Sequence, residues 1–178
     1  MIEELDSLRH EDPVLQRERL LALRPEVRGP NWWLGVIQVA TGSATRPDLP
    51  DADRRQWASL AAVALDSARD SGDLEAREVV SRKANLTWAL SRYGSPESFS
   101  PALRPDLVVR ESLAEAGMSP EEAAATPWQL RAEDVDVMRR LRRVRNVIFP
   151  AVQLAAQVQD EQTKRELAAW SEVLPKLP

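Results

Sequence analysis

Residues 51–71 carry one unbroken stripe of apolar side chains at helical spacing, and this stripe constrains the fold more than any other feature of the sequence. Charged residues occupy the remaining positions of the segment. The stripe consists of Trp57, Leu60, Ala61, Ala64, Leu65 and Ala68. Gly72 ends this helix, and Asp73 is placed to cap a second helix over about 74–93. Such a short connection predicts an antiparallel helical hairpin over 51–93.

Helical periodicity recurs through the rest of the chain, whereas no segment alternates for long enough to predict a strand. The chain has 178 residues, 43% of them hydrophobic, which is enough to bury one ordinary core. The sequence therefore predicts a single all-α domain over residues 1–178. Its expected form is a compact bundle of about six or seven helices.

Proline placement marks where several helices begin, because the first helical position has no intrahelical use for an N–H group. Asp12-Pro13 predicts one such start, and Ser119-Pro120-Glu121-Glu122 has the form of a capping box. A long helix is predicted over 127–149, with a cap at its start. Pro150 then kinks that helix or opens the last one, over about 151–174.

Two segments differ from these amphipathic helices. Residues 31–41 are apolar almost all round, which predicts a short, central, buried helix between Asn31 and Gly42. Gly35 in its middle predicts close approach by a neighbouring helix. Residues 94–105 are rich in Pro and Ser and are predicted to form a long mobile loop, a second candidate for a functional segment.

Six of the nine aromatic residues are tryptophan, so tryptophan supplies most of the large aromatic surface. Trp57, Trp88 and Trp170 fall on apolar stripes and are predicted to lie in the core. Trp128 and one of the adjacent pair Trp32 and Trp33 are expected to be partly exposed. An exposed tryptophan near arginine is typical of interfaces, which makes Trp128 a candidate binding residue.

Several catalytic classes are excluded by composition. The chain has no cysteine, so it contains neither disulfides nor thiolate ligands, and His10 is its only histidine. A Ser-His-Asp triad or a multi-histidine metal site has no support, and no glycine-rich loop can cradle a phosphate. No catalytic residue and no cofactor is therefore predicted, which favours a non-enzymatic protein.

The sequence also bears on location. Acidic residues stand at the N-terminus where a signal peptide needs basic ones, and no apolar run approaches the ~20 residues that span a bilayer. A cytoplasmic protein without a membrane partner is expected. Arginine greatly outnumbers lysine, as in proteins of GC-rich genomes, which favours a bacterial source.

Four carboxylates keep one metal-dependent alternative open. Asp66 and Asp70 stand four residues apart, and Glu75 and Glu78 three apart, on the two helices of the predicted hairpin. Acidic pairs on facing helices hold magnesium in all-α phosphohydrolases. Arginines alternate with these acids, however, and such alternation is typical of a solvated helix face.

The strongest charge feature is a run of five arginines within two helical turns. They are Arg139, Arg140, Arg142, Arg143 and Arg145. On a helix they lie opposite the apolar stripe of Val137, Leu141, Val144 and Ile148. Guanidinium groups in this density can grip a polyanion. Acids near the start of the same helix also fit a purely stabilising role through the helix dipole, or through ion pairs within the chain.

These patterns together favour a helical protein–protein interaction module, such as a regulator, adaptor, immunity-type protein or assembly partner. Its expected binding residues are Arg139, Arg142, Arg143, Arg145 and Trp128. One alternative is a nucleic-acid-associated protein that uses the arginines over 139–145, and a second is the metal-dependent phosphohydrolase. The net charge of −4 offers no overall attraction to nucleic acid.

Overall fold

The computed structural model describes residues 2–129 and 131–178, and these residues form α-helices and short 3-10 turns without a β-strand. The helices are α1 (Ile2–Leu8), α2 (Pro13–Ala22), α3 (Pro30–Ala44), α4 (Asp51–Asp70), α5 (Ala76–Leu90), α6 (Pro105–Ala116), α7 (Pro120–Ala125), α8 (Val135–Val152) and α9 (Glu161–Val173). The predicted all-α helical bundle is confirmed.

The N-terminal half of the chain builds the largest apolar cluster. Helices α1 to α5 contribute to it, and α3 and α4 share its centre through Trp33, Val36, Leu60 and Ala64, which are all fully buried. The predicted helices of the 51–93 hairpin are present as α4 and α5, and they pack together. Burial of this many apolar side chains is the main stabilising contribution to such a bundle.

A second apolar cluster lies in the C-terminal half and a third joins the halves. Helices α6 to α9 supply the second, with Leu141 and Trp170 fully buried within it. The third contains Ala84 of α5, Val109 of α6 and Leu167 of α9. Helices α5 and α6 therefore link the two halves, because α5 contributes to the first and third clusters, α6 contributes to the second and third, and the two helices pack together.

Asp73 performs a different task from the predicted helix cap. Its carboxylate accepts a hydrogen bond from Trp33 Nε1 at 2.8 Å, while the residue at the α5 N-cap position is Glu75. Because Trp33 is fully buried, its indole N–H needs a partner inside the protein. The turn between α4 and α5 is thereby tied to α3.

Helix α3 is longer and less enclosed than its composition predicts. It extends through Gly42 to Ala44, and its first cap residue is Gly29 rather than Asn31. Asn31 is exposed, so the segment buries one face rather than its whole circumference. A Cβ added at Gly35 would meet no atom within 4 Å, so the predicted close approach of a neighbouring helix is wrong.

The predicted start of the helix over 127–149 is also wrong. Helix α8 begins at Val135, after a 3-10 turn, and Asp134 accepts a hydrogen bond from the backbone N–H of Gln129 at 2.9 Å. The last helix begins at Glu161 rather than at residue 151, and Asp160 caps its N-terminus. The predicted capping box at Ser119 and Glu122 is present.

Pro150 lies inside α8, and a neighbouring helix compensates for it. Proline lacks the N–H that would bond the carbonyl of Asn146 one turn earlier. The Ser81 hydroxyl of α5 instead donates to that carbonyl at 3.0 Å. Helix α8 therefore continues to Val152, past the boundary that the sequence predicts.

Residues 94–105 form a packed segment rather than the predicted mobile loop. They contain 3-10 turns at Pro96–Ser98 and Pro101–Leu103. Phe99 and Leu103 insert into the N-terminal apolar cluster, with exposures of 6% and 0%. Across the ranges 2–129 and 131–178, no helix combines the length and apolar character needed to cross a membrane.

Candidate functional site

Helix α8 presents a buried face and an arginine-rich outer face. Leu141, Val144 and Ile148 are buried and Val137 is half-buried, so the predicted apolar stripe is confirmed. All five arginines over 139–145 are exposed. The regular spacing of apolar residues thus fixes which side of α8 meets solvent, and the arginines occupy that side.

Ion pairing within the chain accounts for only one of these five arginines. Arg139 Nη1 lies 2.6 Å from Asp136 Oδ1, one turn earlier in α8. In the part of the chain that the structure describes, the other four form no ion pair within 4.0 Å. These four are Arg140, Arg142, Arg143 and Arg145. Their positive charge is therefore available to a binding partner.

The helix dipole does not explain the arginines either. Its favourable interaction with cations falls off within the last turn of a helix. Because α8 continues to Val152, its last turn holds no basic residue, and the arginines stand near its middle. A purely stabilising role for these arginines, through the helix dipole or through ion pairs within the chain, is therefore less well supported than a binding role.

Two large aromatic side chains are exposed on α5 and α8. Phe149 of α8 is 53% exposed, and Trp88 of α5 is 46% exposed. The core position predicted for Trp88 is therefore wrong, whereas the core positions of Trp57 and Trp170 are confirmed. Ala76, Val80, Ala84 and Trp88 follow one another at four-residue spacing on α5, and each step advances 40° around the helix. After three steps, Trp88 lies about 120° from Ala76 and has left the buried face.

Three adjoining surface grooves connect these groups. One, of about 610 Å³ between α3 and α5, is lined by Leu34, Leu86 and Trp88. The others lie between α5 and α8, with volumes of about 400 Å³ and 450 Å³. Asn85 lines all three grooves. We define the α5–α8 face as six residues of α5 and α8 that each line at least one of these grooves: Arg82, Asn85, Trp88, Arg143, Arg145 and Phe149.

Trp128 stands apart from this face. It precedes α8, where it is half-buried against the C-terminal cluster, and it lines none of the three grooves. Its predicted partial exposure is confirmed, as is that of Trp32 beside the buried Trp33. The structure therefore groups Arg143 and Arg145 with Phe149 rather than with Trp128.

The four carboxylates of the phosphohydrolase alternative do not converge. Asp66 lies 2.7 Å from Lys83 Nζ, Asp70 lies 2.9 Å from Arg17, and Glu78 lies 2.9 Å from Arg82. Glu75 pairs with Arg77. The hydrogen bond from Arg17 is the largest effect that lowers the pKa of Asp70 below its ordinary value. Among residues 2–129 and 131–178, no three potential metal ligands form a group.

A larger polar cavity of about 920 Å³ lies beside the 94–105 segment. Its carboxylates have structural partners: Asp106 accepts the backbone N–H of Gln159 at 2.9 Å, and Asp160 accepts that of Thr163 at 2.8 Å. Arg110 Nε donates to the Asp106 carbonyl at 3.0 Å. These two carboxylates and Arg110 therefore hold backbone groups of the segments that surround the cavity.

Fold and site together define an all-α protein with an exposed arginine cluster on α8, exposed Phe149 beside Arg145, and exposed Trp88 on α5. Comparison with protein-family models, with curated proteins and with solved structures finds no match to this chain. Its function is therefore argued from its own residues.

Sequence reasoning missed the contributions of Trp88 and Phe149 to this surface. For Phe149, a signal was present in the spacing, because it lies seven residues after Arg142 and therefore shares its side of the helix. For Trp88, the signal was its position twelve residues after Ala76, because three four-residue steps turn it about 120° around the helix. Neither signal shows which grooves the two side chains line, since that depends on how α5 packs against α3 and α8.

Proposed function

We propose that this protein is a non-enzymatic interaction module that binds an acidic surface of another protein through α8 and the adjoining α5–α8 face. The observation that carries the proposal is a cluster of four exposed arginines that form no ion pair among the described residues, with exposed Phe149 lining a groove beside Arg145. Tryptophan, phenylalanine and arginine are enriched in protein interfaces, where they supply much of the binding energy.

The combination of charge and aromatic surface favours a protein over a nucleic acid. Phe149 is 53% exposed and lines a groove together with Arg145, so apolar surface lies directly beside the positive charge. A protein partner can place carboxylates against the arginines and apolar groups against Phe149 and Trp88. Complementary charge of this kind raises the association rate and selects the partner.

Nucleic acid is the second candidate, and the unpaired arginines are the observation that favours it. Binding to phosphates releases counterions, so affinity would fall steeply as salt rises. Fluorescence anisotropy with short DNA and RNA, single- and double-stranded, at two salt concentrations measures this directly. If the protein-binding proposal is correct, the protein shows no DNA or RNA binding of the kind that weakens as salt rises and disappears in the Arg142→Glu/Arg143→Glu variant.

The decisive test is co-purification of the tagged protein from its native cells after nuclease treatment. A stoichiometric protein partner should accompany the wild type and be lost with Arg142→Glu/Arg143→Glu. The matched control is Arg55→Glu/Arg165→Glu, which makes the same change in charge at two exposed arginines outside α8. Equal recovery with all three proteins, or recovery that depends on nucleic acid, would refute the proposal.

A further inference from the structure

A second regular stripe runs along α8 on the side that faces solvent. Val135, Met138, Arg142, Arg145 and Phe149 follow one another at spacings of three, four, three and four residues. At 100° per residue they lie within an arc of about 80° and span about 21 Å along the axis. We call these five residues the outer seam of α8.

The outer seam has apolar ends and a charged centre. Val135 is 43% exposed and Phe149 is 53% exposed, while Arg142 and Arg145 between them are exposed and without an ion pair among the residues described. Met138 is half-buried. Alternate spacings of three and four residues are what one helix presents to another when the two pack lengthwise.

We propose that the outer seam docks an amphipathic helix of an acidic partner protein, with two carboxylates at the centre of the partner's contact stripe and apolar residues at both ends. This inference rests on the proposed function and narrows it to one element. The apolar ends bury Val135 and Phe149 against aliphatic side chains, and the central carboxylates neutralise Arg142 and Arg145. Bidentate pairs between arginine and carboxylate add geometric selectivity to this contact.

A second copy of this chain does not satisfy the seam. In a two-fold antiparallel pairing of two α8 helices about the seam centre, Arg142 faces its own counterpart and Met138 faces Arg145. Like charges at such positions destabilise a helix pair. The charge at the centre of the seam therefore selects a different, acidic chain.

A displayed library of helical peptides, with every seam-facing position randomised, tests the inference directly. We expect selection on the wild-type protein to enrich Asp or Glu at the two central positions and Leu, Ile, Met or Phe at the ends. Selection on Arg142→Glu/Arg145→Glu should enrich Lys or Arg at those same central positions. Circular dichroism establishes that each variant is folded before selection.

A matched variant separates the seam from general electrostatic attraction. The variant Arg55→Glu/Arg165→Glu makes the same change in charge at two exposed arginines outside α8. An enriched acidic peptide should lose at least ~10-fold in affinity with Arg142→Glu/Arg145→Glu, which corresponds to about 1.4 kcal/mol. It should change less than about two-fold with Arg55→Glu/Arg165→Glu.

Equal losses with the two variants, enrichment without central acids, or no enrichment would each overturn the helix-docking inference. The proposed function is judged separately, by recovery of the native partner with Arg142→Glu/Arg143→Glu. A partner that is lost in that experiment, together with a peptide selection that fails, leaves the interaction function in place and removes the helical partner. If both experiments fail, the arginines are not a protein-binding surface.

Discussion

Lys83 is the most deeply buried cation of the chain's described part, and its replacement tests how the structure compensates for that charge. Its side chain is 2% exposed, and Nζ lies 2.7 Å from Asp66 and 3.5 Å from Glu111. These carboxylates belong to α4 and α6, so a charge on α5 joins three helices. Lys83→Met keeps most of the apolar stem and removes the charge, which leaves both carboxylates without this partner.

The size of the effect follows from burial. Removing one partner of a fully buried ion pair costs roughly 3–5 kcal/mol. Asp66 and Glu111 are 26% and 27% exposed, and Asp66 keeps Arg69 at 3.1 Å, so we expect the lower end of this range. A loss of about 3 kcal/mol lowers the melting temperature of a domain of this size by roughly 6–12 °C.

Lys164→Met is the matched control for this prediction. Lys164 Nζ lies 2.7 Å from Glu161, as close as Lys83 is to Asp66, but the two side chains are 40% and 71% exposed. An exposed pair of this kind contributes roughly 0.2–1 kcal/mol. Urea unfolding followed by circular dichroism measures both variants. If Lys83→Met loses no more stability than Lys164→Met, burial does not govern the strength of this contact and the reasoning is wrong.

Three further predictions concern the fold. Gly35→Ala should stabilise α3 by roughly 0.5–1 kcal/mol because the site is open and helical. Gly117→Ala should instead destabilise the protein, because the φ angle of Gly117 is +64°. Melting temperatures of the two variants that shift in the same direction would contradict this prediction. Asp73→Ala should cost about 1–3 kcal/mol in urea unfolding because it leaves the buried Trp33 N–H without its acceptor, and a loss below about 0.5 kcal/mol would exclude that role. Hydrogen bonds from Thr163 lower the pKa of Asp160, so this contribution is complete above the ordinary aspartate pKa of about 3.9 and is lost as pH falls through the lower folded value. Melting temperatures of the wild type should therefore fall more steeply below about pH 4 than those of Asp160→Asn, and equal slopes would refute it.

Helical periodicity and capping patterns correctly predicted those features of the fold that depend on residues within a single helix. The stripes of α4 and α8 are buried as expected, and the capping box at Ser119 and Glu122 forms, because each depends on residues a few positions apart. The fold class follows from these local rules. Such agreement between local preference and global structure is typical of sequences that specify one fold.

The errors occur where distant contacts decide. The end of α8 depends on Ser81, whose hydroxyl takes the place of the N–H that Pro150 lacks although 65 residues separate it from Asn146. The order of the 94–105 segment depends on Phe99 and Leu103 entering a core that α1 to α5 build. No pattern within either segment contains this information, because loops acquire their conformation from the surfaces they cross.

The arginines over 139–145 form like-charged pairs near the middle of α8. Arg139 and Arg142, Arg140 and Arg143, and Arg142 and Arg145 are like-charged pairs three residues apart. Each such pair destabilises a helix by roughly 0.2–0.5 kcal/mol. A cluster at the end of the helix would recover this energy from the dipole, and a cluster facing acids would recover it from ion pairs. Among the described residues, Arg140, Arg142, Arg143 and Arg145 form no ion pair within 4.0 Å, and none of them lies in the last turn of α8. A local rule broken without compensation within the chain is expected at functional sites, where the compensating group belongs to the partner.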